Sequence, residues 1–258
     1  MTIQLSAVEI PVADQRIEGS FVTTSALLPG VLLVHGWDGS QAQYIARAHE
    51  LAALGCICLT IDLRGHARHR AQRMEVTPED NLQDVLAGLD TLRSHPGVDE
   101  RAIAIVGSSY GGYLAALATA LRPVRWLALR APAIYEDPDW QRPKGLLDRE
   151  KLNTYRRGLI PAESNRALRA CGEFRGDVLV VESETDNMVP HEVIRSYVNA
   201  FKQAHSLTYR VLSGADHALS ADEMRQAYGL QLVNWMTEML LGAKAASASV
   251  RPVPRAPA

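Results

Sequence analysis

Gly107-Ser108-Ser109-Tyr110-Gly111-Gly112 is the stretch on which the reading of this chain turns. Ahead of it runs Ala102-Ile103-Ala104-Ile105-Val106, short, apolar and rich in β-branched residues; behind it runs Tyr113-Leu-Ala-Ala-Leu-Ala. The first has the length and composition of a buried strand and the second of a helix. A strand that gives way to a helix so abruptly needs a sharp turn, which strains the central residue and lifts its side chain clear of the sheet. Glycines two residues before and two after Ser109 leave room for neighbouring backbone. The helix start offers free amides and a positive dipole end to a developing oxyanion. Ser108 is the rival hydroxyl, but it sits off-centre, with Val106 two residues before it. A glycine-rich turn without chemistry would explain Gly-x-Ser-x-Gly alone. The strand before, the helix after and the extra Gly112 favour a nucleophile.

Outward from this turn, apolar β-rich runs at 31–34, 56–63, 102–106, 126–130, 178–182 and 209–212 alternate with helical patterns near 42–54, 78–94, 112–121, 191–204 and 221–241. That alternation predicts a mostly parallel sheet with helices on both faces. Pro78, Glu79 and Asp80 suit a first helical turn, and Leu82, Val85, Leu86, Leu89 and Leu92 recur on one face behind them. Residues 7–12 and 16–23, parted by Ala13-Asp14-Gln15, read as an antiparallel hairpin at the sheet's edge. Two stretches break the pattern. Residues 135–175 carry Pro138, Pro143 and Pro161 among mixed charges and read as an insertion that caps the site. Residues 245–258 are rich in Ala, Ser, Pro and Arg and read as a disordered tail, leaving 1–244 as one domain.

Composition narrows the function classes. The chain of 258 residues is 47% hydrophobic and 22% charged, with a formal net charge of −2, which gives no reason to expect nucleic acid or an anionic membrane as partner. The local exception, Arg64, Arg68, Arg70 and Arg73 with His66 and His69, reads as a solvated loop. No apolar run approaches the roughly 20 residues of a membrane span. The first residues show no basic flank and apolar core of a signal peptide. Cys56, Cys58 and Cys171 cannot build a disulfide framework, so a cytoplasmic location is expected. His66 and His69 lack companions at metal-ligand spacing, and no dinucleotide fingerprint is present, so no cofactor is expected.

Taken with its setting, the turn at Ser109 resembles that of the α/β-hydrolase family, and the similarity extends over nearly the whole chain. It implies a doubly wound, eight-stranded α/β sheet and a triad in the order serine, acid, histidine. Val178-Leu-Val-Val-Glu-Ser-Glu-Thr-Asp186-Asn-Met-Val-Pro190 resembles the family's acid-bearing Gly-x-x-Asp-x-x-Val-Pro segment, with Ser183 where glycine is usual. Asp186 is the favoured acid, with Glu182 and Glu184 as alternatives. Ser213-Gly-Ala-Asp216-His217 resembles the family's Gly-x-x-His turn and makes His217 the base, Asp216 shaping the turn. The resemblance implies an oxyanion hole from the backbone amides of Trp37 and Tyr110, with His35 bracing the loop. Asp62-Leu-Arg64-Gly-His66 resembles the family's Asp-x-Arg-Gly-x-Gly segment, with Ala67 in place of the second glycine. Asp62 and Arg64 are expected to tie loops near the site.

These parts imply a serine hydrolase that works through an acyl-enzyme and needs no cofactor. A compact cap favours a small carboxylic ester, aryl esters included, as substrate. Trp140, Leu146, Leu147, Tyr155 and Leu159 either line its pocket or form the cap's own core. Ser109-Tyr-Gly-Gly-Tyr113 also resembles the nucleophile turn of the prolyl-oligopeptidase branch, which makes a short peptide the second candidate substrate. In that branch an N-terminal propeller restricts access, and the given sequence carries none. Acyl transfer to an alcohol differs only in how well water is excluded. A ligand-binding protein without catalysis on the same fold is the remaining alternative.

Overall fold

The computed structural model describes residues 3–23 and 28–249. Its strands are β1 (Gln4–Val12), β2 (Gln15–Thr23), β3 (Leu28–Val34), β4 (Ile57–Ile61), β5 (Val98–Ser108), β6 (Trp126–Arg130), β7 (Asp177–Ser183) and β8 (Ser206–Leu212). Its α-helices are α1 (Ile45–Ala53), α2 (Pro78–Ser94), α3 (Tyr110–Ala118), α4 (Arg149–Arg156), α5 (Arg166–Glu173), α6 (His191–Ala200) and α7 (Asp222–Ser249). The strands form one sheet in the order β1-β2-β4-β3-β5-β6-β7-β8. β1 and β2 pair antiparallel as a hairpin, and β2 runs antiparallel to β4. Every other pairing is parallel.

Side chains of the central strands alternate between two apolar layers, as a period of two requires. Leu32 and Val34 of β3, Ile103 and Ile105 of β5, and Val178 and Val180 of β7 enter one layer. Their neighbours Val31, Leu33, Ala104, Val106, Leu179 and Val181 enter the other. Helices α2, α3, α5 and α6 cover the first face, and α1 and α7 the second. The helix over 78–94 starts as expected: Thr77 caps it, and the Asp80 carboxylate accepts the Thr77 amide at 2.9 Å.

Two stretches differ from expectation. Only part of 135–175 lies above the sheet. Residues 137–164 form three 3-10 turns and α4, whereas α5 buries Ala167, Leu168 and Cys171 between α3 and α6 as part of the covering layer. A short apolar stripe among arginines hid that role. At the other end α7 continues to Ser249, so 245–249 are helical, and 250–258 lie outside the described residues.

Candidate active site

The turn after β5 is as sharp as its glycines suggest. Ser109 has φ +52° and ψ −117°, a conformation costly for any residue with a Cβ. Its surroundings leave it no alternative. The Ser109 N–H donates to Arg130 O at 2.9 Å, and its carbonyl accepts from Tyr113 N at 3.1 Å and Ala133 N at 2.9 Å. A Cβ on Gly111 would stand 2.3 Å from Val34 O, and one on Gly107 2.4 Å from Gly111 O. Only glycine admits this approach of the α3 start to β3.

Asp186 and His217 arrive from the loops after β7 and β8. One Asp186 oxygen accepts the Met188 and Val189 amides, each at 2.8 Å. The other faces His217 Nδ1 at 2.6 Å. That contact places the imidazole proton on Nδ1 and leaves Nε2 to accept from the Ser109 hydroxyl at 2.9 Å. Thr185 N donating to Ala215 O at 2.9 Å ties the two loops together. Asp216 shapes its turn as expected, accepting Ser220 N at 2.8 Å. The alternative acids are engaged elsewhere. Glu182 meets His191 at 2.8 Å and accepts from the Tyr209 hydroxyl, and Glu184 accepts Gly214 N at 2.7 Å. Hydroxyl, imidazole and carboxylate thus form a hydrogen-bonded chain through which an attacking serine can lose its proton.

The loop after β3 lies against this chain, for a Cβ on Gly36 would come within 3.3 Å of Ser109 Cβ. His35 holds the loop from below. Its Nε2 accepts the Leu63 amide at 3.1 Å, which leaves Nδ1–H to donate to Gly36 O at 2.8 Å. Burial lowers the His35 pKa to about 4, so the ring stays neutral. The same cause lowers His66, stacked edge-on against Trp37, to about 4. Tyr110 is the first residue of α3, so its amide has no acceptor one turn back.

The Asp62–Arg64 segment ties loops together as its sequence suggested, but Arg64 and His66 are buried and do not belong to a solvated loop. Asp62 accepts Gln41 N at 2.7 Å, and buried Arg64 donates through Nε to Asp84 at 2.6 Å. Asn81, bonded to Asp84 and to Arg64 O, receives the Tyr110 hydroxyl at 3.0 Å, linking this network to α3. Of the two departures from the family pattern, Ala67 holds the left-handed conformation at φ +45°, and the Ser183 hydroxyl accepts from Arg130 Nη1 at 3.3 Å. Arg130 also reaches Ser108 at 3.3 Å and so joins the turn at Ser109 to the end of β7. Sequence reasoning missed it, although an arginine closing the apolar strand Trp126-Leu-Ala-Leu was the available signal.

Two cavities meet at the Ser109–His217 pair. The larger, about 750 Å³, lies under residues 137–164 and is lined by Trp37, Tyr135, Leu147, Leu152, Met188 and several cations. The smaller, about 380 Å³, runs toward Tyr44, Arg47, Arg130 and Leu219. Of the five expected pocket residues only Leu147 lines the larger cavity. Trp140 packs on the core with Arg166 over its ring, and the Tyr155 hydroxyl receives an Asn165 N–H at 3.2 Å. Leu146 and Leu159 are exposed. The lining side chains of α4 are Arg149, Leu152, Asn153 and Arg156, a mixed set that no apolar pattern marks. Among the described residues no group of His, Cys, Asp and Glu could hold a metal ion, and no helix is long and apolar enough to cross a membrane.

A sequence model described as the prolyl oligopeptidase family matches residues 42–243. The fold is similar to that of Pyrococcus horikoshii acylaminoacyl peptidase (TM-score 0.66, 16% identity), covering 91% of this chain and 41% of that one. It is similar to dienelactone hydrolase from Anabaena variabilis (TM-score 0.67, 19% identity), covering 92% of this chain and 98% of that one. A third likeness is to Porphyromonas gingivalis dipeptidyl peptidase 4 (TM-score 0.67, 18% identity), covering 92% and 35%. The chain therefore spans about two fifths or less of each peptidase and nearly all of the dienelactone hydrolase. No curated protein matches it.

Proposed function

The chain belongs to the prolyl oligopeptidase family and is a serine hydrolase of the α/β-hydrolase fold, and on that premise we propose that it cleaves small carboxylic esters with Ser109 as nucleophile, His217 as general base and Asp186 as the acid that orients it. The observation that carries this reading is the unbroken chain from Ser109 Oγ through His217 to Asp186, at 2.9 and 2.6 Å. His217 Nε2 takes the hydroxyl proton as Ser109 Oγ attacks the carbonyl carbon. The amides of Trp37 and Tyr110 receive the oxyanion. His217 then protonates the departing alcohol, and water, activated by the same imidazole, frees the acid. No step calls for a cofactor.

A small ester is supported by the larger cavity, whose volume of about 750 Å³ is on the scale of small-molecule sites. The full-length likeness to a dienelactone hydrolase agrees with it. Amide hydrolysis is the second reading, favoured by the family itself and by the likeness to an acylaminoacyl peptidase. With all three triad candidates hydrogen-bonded together, a purely ligand-binding role has no support from the geometry.

The test is labelling by a fluorophosphonate probe, with Ser109→Ala beside the wild type, followed by turnover of matched nitrophenyl esters and nitroanilides. Labelling lost in Ser109→Ala, with esters cleaved in preference to anilides, is the expected result. Anilides cleaved faster would transfer the assignment to peptides, and a wild type that neither labels nor turns over would end the hydrolase assignment of these residues.

A further inference from the structure

A buried cation is ordinarily matched by a carboxylate, because a lone charge withdrawn from water costs several kcal/mol. The wall of the larger cavity departs from this rule. Arg156 of α4 is only 5% exposed, yet its Nε and Nη1 donate to the uncharged carbonyls of Ile134 at 3.1 Å and Met188 at 3.2 Å. Lys144 enters from the opposite flank, its Nζ 4.4 Å from the Trp37 ring centre, 5.0 Å from Tyr135 and 5.5 Å from Tyr110. Arg156 Cζ lies 5.0 Å from the same Tyr135 ring. Two cations therefore share one aromatic wall, and among the described residues neither meets a carboxylate. The carboxylate on this lining, Asp38, is engaged by Arg73.

Aromatic faces and backbone carbonyls hold these charges in place without neutralising them. They do so beside the Ser109 hydroxyl, in a chain whose formal net charge is −2, so the positive field is local to this cavity. We infer that the substrate carries a carboxylate on the part that fills this cavity, and that Lys144 and Arg156 bind it. This rests on the ester-hydrolase reading above and narrows its substrate to anionic esters.

The experiment compares kcat/KM on matched pairs that differ in one charge. Nitrophenyl hydrogen adipate against nitrophenyl hexanoate places the carboxylate on the acyl side. Acetoxybenzoate against its methyl ester places it on the leaving side. In the wild type the anionic member of at least one pair leads by about tenfold or more, mainly through KM, a factor equivalent to about 1.4 kcal/mol. Lys144→Met and Arg156→Gln each pull that ratio back toward one. A structural role alone would weaken both members alike and leave the ratio unchanged, which would overturn the inference, as would a wild-type ratio near one on both pairs. Monomethyl adipate titrated into Ser109→Ala, read by tryptophan fluorescence, separates this inference from the one beneath it. Saturable binding that Lys144→Met abolishes supports the anion site even without turnover. Neutral-ester turnover with no such binding keeps the hydrolase and removes the anion site.

Discussion

The turn at Ser109 and the roof over it, residues 137–164, are built by opposite means. Around Ser109 the main chain does the holding: three backbone hydrogen bonds grip one strained residue, and glycines bring β3 and α3 into contact. The roof is short 3-10 turns and one eight-residue helix, tied by side chains at the surface, such as Lys151 to Glu136 at 2.8 Å. Its link to the body includes a single backbone bond from Lys144 N to Val76 O at 3.0 Å. The difference separates two tasks. The geometry at Ser109 rests on backbone that few substitutions can alter, whereas the shape and charge of the pocket rest on side chains that can change one at a time.

The largest test of that division is Asp186→Asn, which removes the acceptor for His217 Nδ1–H. Turnover should fall on the order of 10⁴-fold, while the melting temperature stays close to that of the wild type. A loss of only a few-fold would mean that the imidazole is oriented by something other than this carboxylate. Next in size is a pair of glycine substitutions. Gly111→Ala forces a methyl group against Val34 O and should cost about 3 kcal/mol or more. Gly158→Ala, with nothing within 4 Å of the new Cβ, should stay within about 0.5 kcal/mol in urea unfolding. Equal effects would erase the contrast between the two regions.

Acid should reach the body before the roof. His35 and His66 have folded pKa values near 4, below the ordinary value of 6.5. Between those limits the unfolded chain takes up protons that the folded one refuses, so stability falls as pH drops from about 6.5 to about 4. The slope should reach about 1.4 kcal/mol per pH unit for each ring, and below pH 4 this contribution stops changing. His66→Asn should remove about half of that slope in urea midpoints measured across the window. An unchanged slope would move the acid sensitivity to other groups, the roof's ion pairs among them. The smallest effect is Leu152→Ala on α4, expected to shift KM for short neutral esters by a few-fold with kcat nearly constant. A fall in kcat instead would show the roof taking part in the chemistry.

What could be read from the sequence followed the same division. Strand alternation, the Ser109 turn and the acid and histidine loops were legible because backbone demands leave narrow residue patterns: glycine where Cβ atoms collide, a β-branched run where a strand is buried. The pocket was not legible. Of the aromatic residues of 135–175, Tyr135 lines the cavity whereas Trp140 and Tyr155 pack on the core, for burying a ring against the core satisfies it as well as lining a cavity does. Most side chains that line the cavity from α4 are polar or charged, and a charged residue on a short helix looks alike whether it meets bulk water or a cavity. The stripe that makes α5 part of the covering layer went unread because it spans barely two turns.

The three hydrogen-bonded side chains at the site also bear on how the molecule is made. Ser109 and His217 are 108 residues apart, and Asp186 and His217 are 31 apart. Each stands on a different strand end, and β5 reaches β8 only through β6 and β7. No fragment that lacks the pairing of β7 with β8 can align the imidazole with the hydroxyl. A nascent chain therefore carries Ser109 without its imidazole partner until β8 has paired with β7. Recovery of the proposed activity on refolding would accordingly report the closing of the sheet's far edge.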